Sequence, residues 1–140
     1  MSNETTSHVL APRRKRRGVA ATEFAVCLPI VVLLVVGTIE ACSMIFLKQS
    51  LAITAYEGAR TAIIPGATKA QVDAACNQIL ADRKVKGATI SIKPTDIASL
   101  NPGDYVDVTI TAPCNTNSVV PNTFYRGKTL SSSASMMIEF

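Results

Sequence analysis

The sequence has no tryptophan, one histidine (His8), three tyrosines and four phenylalanines among 140 residues, and only 17% of it is charged. Each shortage excludes something. With so few aromatic side chains there is no stacking platform for single-stranded nucleic acid. A duplex groove needs basic residues spread over a folded face. Here Arg13, Arg14, Lys15, Arg16 and Arg17, set against Glu4, carry the whole net charge of +4, and the rest of the chain is balanced. The four cysteines form no CxxC pair, and the only histidine lies in the polar start, so the usual zinc ligand sets are missing. No nucleophile elbow, phosphate-binding glycine loop or paired acids beside an apolar pocket signal occur in the body. The sequence therefore predicts no catalytic residue, no metal, no cofactor and no nucleic-acid partner.

What is present is a long apolar run behind the basic cluster. Residues 1–12 are short, polar and unpatterned, and are expected to lack fixed structure. The cluster Arg13–Arg17 is a positive-inside signal, which keeps the N-terminus in the cytoplasm and sends the C-terminus across the membrane. Phe24 to Ile39 is free of charge but falls short of the ~20 residues wanted for a span. Val19 to Thr22 and Ala41 to Leu47 supply the missing length if Glu23 and Glu40 find places at the two interfaces. An acid inside a membrane costs about 2.5–3.5 kcal/mol and asks for a partner. Pro29 is tolerable in such a helix, with a kink expected nearby. A cleaved secretory signal fits poorly, because the run continues through Met44-Ile45-Phe46-Leu47 without a small-residue stop. A lipid-modified Cys42 after Ala41 is a further alternative, weakened by the charge of Glu40.

The segment Arg16-Arg17-Gly18-Val19-Ala20-Ala21-Thr22-Glu23-Phe24 resembles the processing motif of type IV pilins and pseudopilins. In that family a prepilin peptidase cuts after a glycine and leaves the hydrophobic helix on the mature protein. The resemblance implies a cut between Gly18 and Val19, which puts Glu23 at the fifth mature position and Phe24 at the sixth. A glutamate followed by an aromatic residue is typical of the tight-adherence (Tad/Flp) branch. Leu28-Pro29, Gly37-Thr38-Ile39-Glu40 and Ala55-Tyr56-Glu57-Gly58-Ala59-Arg60 narrow the likeness to the TadE-like pilus-assembly family, over about residues 16–63. The implied role is a minor pseudopilin. Its partners would be the prepilin peptidase, other pilin or pseudopilin subunits, the Tad assembly platform and the bilayer of the cytoplasmic membrane. The competing reading is an uncleaved or lipid-anchored single-pass protein whose outer part binds a ligand or partner.

Beyond the membrane the helix is expected to continue to Ile64, with Leu51, Ala55, Ala59 and Ala62 on one stripe, and to end at Pro65-Gly66. Glu57 and Arg60 are spaced to pair on one face. Thr68-Lys69-Ala70-Gln71 predicts a capping box. Val72, Ala75, Cys76, Ile79 and Leu80 then form an amphipathic face running towards a stop at Gly87. Ala88–Lys93, Tyr105–Thr111 and Leu130–Phe140 alternate as strands, with a turn at Asn101-Pro102-Gly103-Asp104. The expected fold is α+β: a long N-terminal transmembrane helix extending into a small head with one further helix and a three-stranded antiparallel sheet. The expected divisions are a leader (1–18), a transmembrane helix (19–47), a helix extension (48–64) and a head (65–140). Cys76 and Cys114 both have core parity. Outside the cytoplasm they are either a disulfide, worth roughly 3–4 kcal/mol in the chain-entropy account, or two buried thiols.

Overall fold

The computed structural model describes residues 14–120 and 123–139. In chain order the elements are α1 (Arg14–Ala62), α2 (Lys69–Asp82), β1 (Thr89–Lys93), a short 3-10 turn (Ile97–Ser99), β2 (Tyr105–Pro113) and β3 (Thr129–Met137). The strands form one antiparallel sheet in the order β1-β2-β3, with Val108 paired to Ile92 on one side and to Ala134 on the other. The fold is α+β. The expected disorder of residues 1–12, Arg13, the side chains of Arg14, Lys15, Arg16 and Arg17, and Phe140 lie outside the described residues.

The chain divides into two compact units between Val36 and Gly37. The first holds the start of α1. There Phe24, Val26, Ile30, Leu33 and Leu34 are all mostly exposed. A helix apolar all round and covered by nothing is the pattern of a membrane span, and α1 is long and apolar enough to cross one. The helix runs on through Pro29. It also begins earlier than Val19, the start expected from the sequence. Arg and Lys are good helix formers, and a single internal glycine, at about 1 kcal/mol, is not enough to break the helix at Gly18.

In the second unit the remainder of α1 packs into a core. Its buried side chains are Glu40, Met44, Leu47, Leu51, Ala55, Ala59 and Ala62, together with Ser50 and Thr54. Their three- and four-residue steps make one helical stripe. Burial along α1 starts at Glu40: Met44 and Leu47 face the core while Ile45 and Phe46 stay exposed. This leaves Val19 to Ile39 as the uncovered apolar stretch, about 31 Å long at 1.5 Å per residue, close to the ~30 Å of a bilayer core. The buried hydroxyls bond back to their own helix, Ser50 Oγ to Phe46 O at 2.9 Å and Thr54 Oγ1 to Ser50 O at 2.8 Å. The helix ends at Ala62, two residues before the expected Ile64, where Ile64 N–H already bonds in a turn to Thr61 O.

Across the core lie Val72, Cys76 and Leu80 of α2 and Val106, Val108, Ile110 and Ala112 of β2. The capping box is present: Gln71 N–H donates to Thr68 Oγ1 at 3.4 Å, and Thr68 N–H donates to Gln71 Oε1 at 2.9 Å. The helix stops at Asp82, well before the expected Gly87. Lys84 takes the left-handed conformation (φ 56°), Val85 N–H reaches Leu80 O, and Lys84 N–H reaches Ala81 O, both at 2.9 Å. This double closure is a Schellman ending with lysine where glycine is usual. Strand β3 ends at Met137, short of the expected Phe140, because Ile138 pairs instead with the turn: its N–H bonds Asp104 O and its carbonyl accepts from Gly103 N–H.

Candidate functional site

Gly18, Val19, Glu23 and Phe24 follow one another on α1, all exposed. Val19 and Glu23 are four apart and so share a face one turn away from each other. An amine released at Val19 would lie close to the Glu23 carboxylate. The carbonyl of Gly18, which belongs to the bond expected to be cut, accepts the Thr22 hydroxyl at 2.9 Å. Being helical, this bond must be unwound before an extended-substrate peptidase can hold it, and glycine lowers the cost of unwinding by about 1 kcal/mol relative to alanine. A Cβ built on Gly18 would meet nothing within 4 Å. The fold itself therefore makes no demand for glycine there.

Gly58 is the opposite case. A Cβ at this position would lie 2.6 Å from Cys76 Sγ and 3.1 Å from Val108 Cγ1, so here glycine is what lets α1 approach α2 and the sheet. The flanking Glu57 and Arg60 do pair, at 3.8 Å on the exposed side, where such contacts contribute little. The Glu57-Gly58-Ala59-Arg60 motif therefore packs through its two small residues.

The residue that sequence reasoning misplaced is Glu40. It does not sit at a water interface but is fully buried. Its carboxylate accepts three consecutive backbone N–H groups: Thr123 at 3.2 Å, and Phe124 and Tyr125 at 2.9 Å each. A carboxylate is acceptor-only, and charge-assisted bonds to backbone N–H groups are among the stronger kind. This clasp ties the β2–β3 loop to α1 and gives the acid the partner its burial requires. Glu40 belongs to the Gly37-Thr38-Ile39-Glu40 stretch of the family likeness, but its partners are backbone atoms and leave no trace in the sequence.

The disulfide alternative is not the arrangement found. Cys76 and Cys114 are both free and buried. The Gly58 contacts place Cys76 Sγ beside Val108, and Cys114 lies six residues further along the chain. At about 3.3 Å per residue that is ~20 Å of extended backbone, against Cα separations of roughly 4.4–6.8 Å in disulfides. Burial pushes the Cys76 thiol up to about 11, with the negative charge of Asp73 adding to the effect. Burial raises that of Cys114 as well, opposed by Lys128. Among the described residues no group of three His, Cys, Asp or Glu side chains is placed to hold a metal ion.

No curated protein and no solved structure matches the chain. Residues 18–60, which run from the glycine at the expected cut through the membrane stretch to the end of the Glu57–Arg60 motif, match the family described as TadE-like protein.

Proposed function

We propose that this chain is a TadE-like minor pseudopilin of a Tad/Flp pilus or a related envelope machine. It is made with the basic leader and inserted with its N-terminus in the cytoplasm. A prepilin peptidase then trims it between Gly18 and Val19. From then on it acts through helix–helix association with other pilin or pseudopilin subunits and the assembly platform, with its folded unit outside the cytoplasmic membrane. The role is structural and adhesive, with no catalytic step of its own.

The observation that carries this reading is the contrast between the two glycines. Gly58 is demanded by packing, whereas Gly18 stands in open space on an exposed turn, directly before Val19 and one turn ahead of Glu23. A glycine the fold does not need, beside an acid exposed on an apolar helix, fits recognition by an outside enzyme. The family match, which begins at this same residue, supports it.

The test is the mature N-terminus, read by mass spectrometry from cells that carry a prepilin peptidase. The expected product starts at Val19, and Gly18→Phe is expected to retain the leader while folding normally. A product starting at a lipid-modified Cys42, or an intact leader on the parent chain, would refute the proposal.

A further inference from the structure

The clasp made by Glu40 holds one aromatic side chain in a particular place. The ring of Phe124 lies against Gly37, with Cε2 and Cζ at 3.5 Å and 4.0 Å from where a Cβ on that glycine would be. Gly37 stands on α1 where the uncovered apolar stretch runs out, less than one turn before Glu40. Phe124 nevertheless keeps 54% of its surface exposed, and Val119 in the same loop keeps 82%. Three N–H bonds to one carboxylate fix the backbone of residues 123–125, so this exposure is built in and not the accident of a loose tip. The β2–β3 connection also contains Arg126 and Lys128 but no Asp or Glu. Both cations are exposed, and Lys128 Nζ stands 5.4 Å from the Tyr125 ring centroid.

We propose that the β2–β3 loop is a membrane-interface anchor: Phe124 enters the lipid at the outer end of the span, and Arg126 and Lys128 face the phosphates of anionic headgroups. Aromatic residues gather at the level where hydrocarbon gives way to headgroups, and exposed Lys and Arg beside it are attracted to anionic lipid. The occupant is lipid because the exposed ring packs on Gly37, the position in the chain at which the bilayer-length apolar run of residues 19–39 is about to end. Glu40 is the positioning residue, acting through the loop backbone. The proposal rests on residues 19–39 spanning the bilayer and is independent of whether the leader is cut.

The absence of tryptophan makes the test direct. The full-length chain carrying Phe124→Trp has a single indole. It is reconstituted into vesicles of phosphatidylcholine and phosphatidylglycerol whose acyl chains are brominated either near the headgroup or near the methyl end. The same chain carrying Val31→Trp reports the middle of the span. The expected result at position 124 is short-wavelength emission quenched more by the shallow label than by the deep one, with the reverse order at position 31. Replacing phosphatidylglycerol by phosphatidylcholine is expected to weaken the shallow quenching at position 124, and Arg126→Gln with Lys128→Gln to remove that lipid dependence. Adding Glu40→Gln is expected to reduce quenching at 124 while leaving that at 31 unchanged. Water-like emission at 124 that neither label quenches, with position 31 still quenched by the deep label, overturns the anchor. So does short-wavelength emission that depends on protein density and ignores the lipid labels, because the loop would then be covered by protein. Absence of deep quenching at position 31 overturns the span and the anchor with it.

Discussion

Replacing Gly58 by alanine sets two opposing effects against each other at one atom. On an open helix surface the change stabilises, by about 0.5–1 kcal/mol, because glycine gives up more conformational freedom on folding. At position 58 the new methyl would lie 2.6 Å from Cys76 Sγ and 3.1 Å from Val108 Cγ1, where heavy atoms in good contact sit roughly 3.5–4.0 Å apart. Neither neighbour is a free end. Cys76 is fully buried on α2, and Val108 is buried in the central strand. Overpacking of this kind costs about 1–3 kcal/mol, so Gly58→Ala is expected to destabilise the folded unit by a net ~1–2 kcal/mol. The assay is urea unfolding of the full chain in detergent, followed by circular dichroism, in a cycle with Cys76→Ala. Removing the sulfur removes the closer clash, so the penalty of Gly58→Ala is expected to shrink by at least ~0.5 kcal/mol in the Cys76→Ala background, beyond the usual error of additivity. A Gly58→Ala chain as stable as the parent, or a penalty unchanged when Cys76 is truncated, would refute the packing argument. Gly18→Ala serves as the control and is expected to leave the unfolding of this unit unchanged.

Three further outcomes are expected. Glu40→Ala leaves three N–H groups without their acceptor and is expected to cost about 2–4 kcal/mol, seen as a lower urea midpoint and faster hydrogen exchange at residues 123–125. In a chain carrying Cys27→Ser and Cys42→Ser, Cys76 and Cys114 are expected to resist alkylation while folded and both to react once unfolded, with or without reductant; a requirement for reductant would restore the disulfide. Because burial holds the Cys76 thiol at about 11 against an ordinary 9.0, the unfolded chain releases this proton before the folded one does. Stability is therefore expected to fall from about pH 9 to about pH 11, by roughly 2–3 kcal/mol, and to level off above. Cys76→Ala flattens this window, and an unaltered pH profile in that variant would remove the argument.

The parts of the fold that follow from periodicity were readable in the residues. The Thr68–Gln71 box, the Leu51–Ala62 stripe and the inward Val106, Val108 and Ile110 each depend on neighbours a few positions apart, and the sequence states those spacings directly. Cys76 and Cys114 show where such reasoning stops. Parity says which face of a strand a residue occupies and nothing about how far along it a partner sits. Both thiols face inward, yet Cys76 meets β2 at Val108, far from its end. Glu40 was opaque for a different reason. An acid next to a membrane stretch is expected to seek water or a cation, and three backbone N–H groups brought back from a distant loop have no side-chain signature. The early start of α1 reflects competition between a local breaker, Gly18, and four strong helix formers before it, and the helix formers prevail.

The hydroxyls of α1 have one more consequence. Thr22 bonds to Gly18 O and Ser43 to Ile39 O, both at 2.9 Å, in the way that Ser50 and Thr54 do within the core. These hydroxyls turn back onto their own backbone and ask nothing of whatever surrounds the helix at their positions. Such a rod can exchange a coat of acyl chains for a coat of neighbouring helices, or return, without breaking these bonds. What surrounds residues 19–39 is then decided by shape and by Glu23, the one charged side chain of that stretch, so the same surface suits lipid or a neighbouring helix.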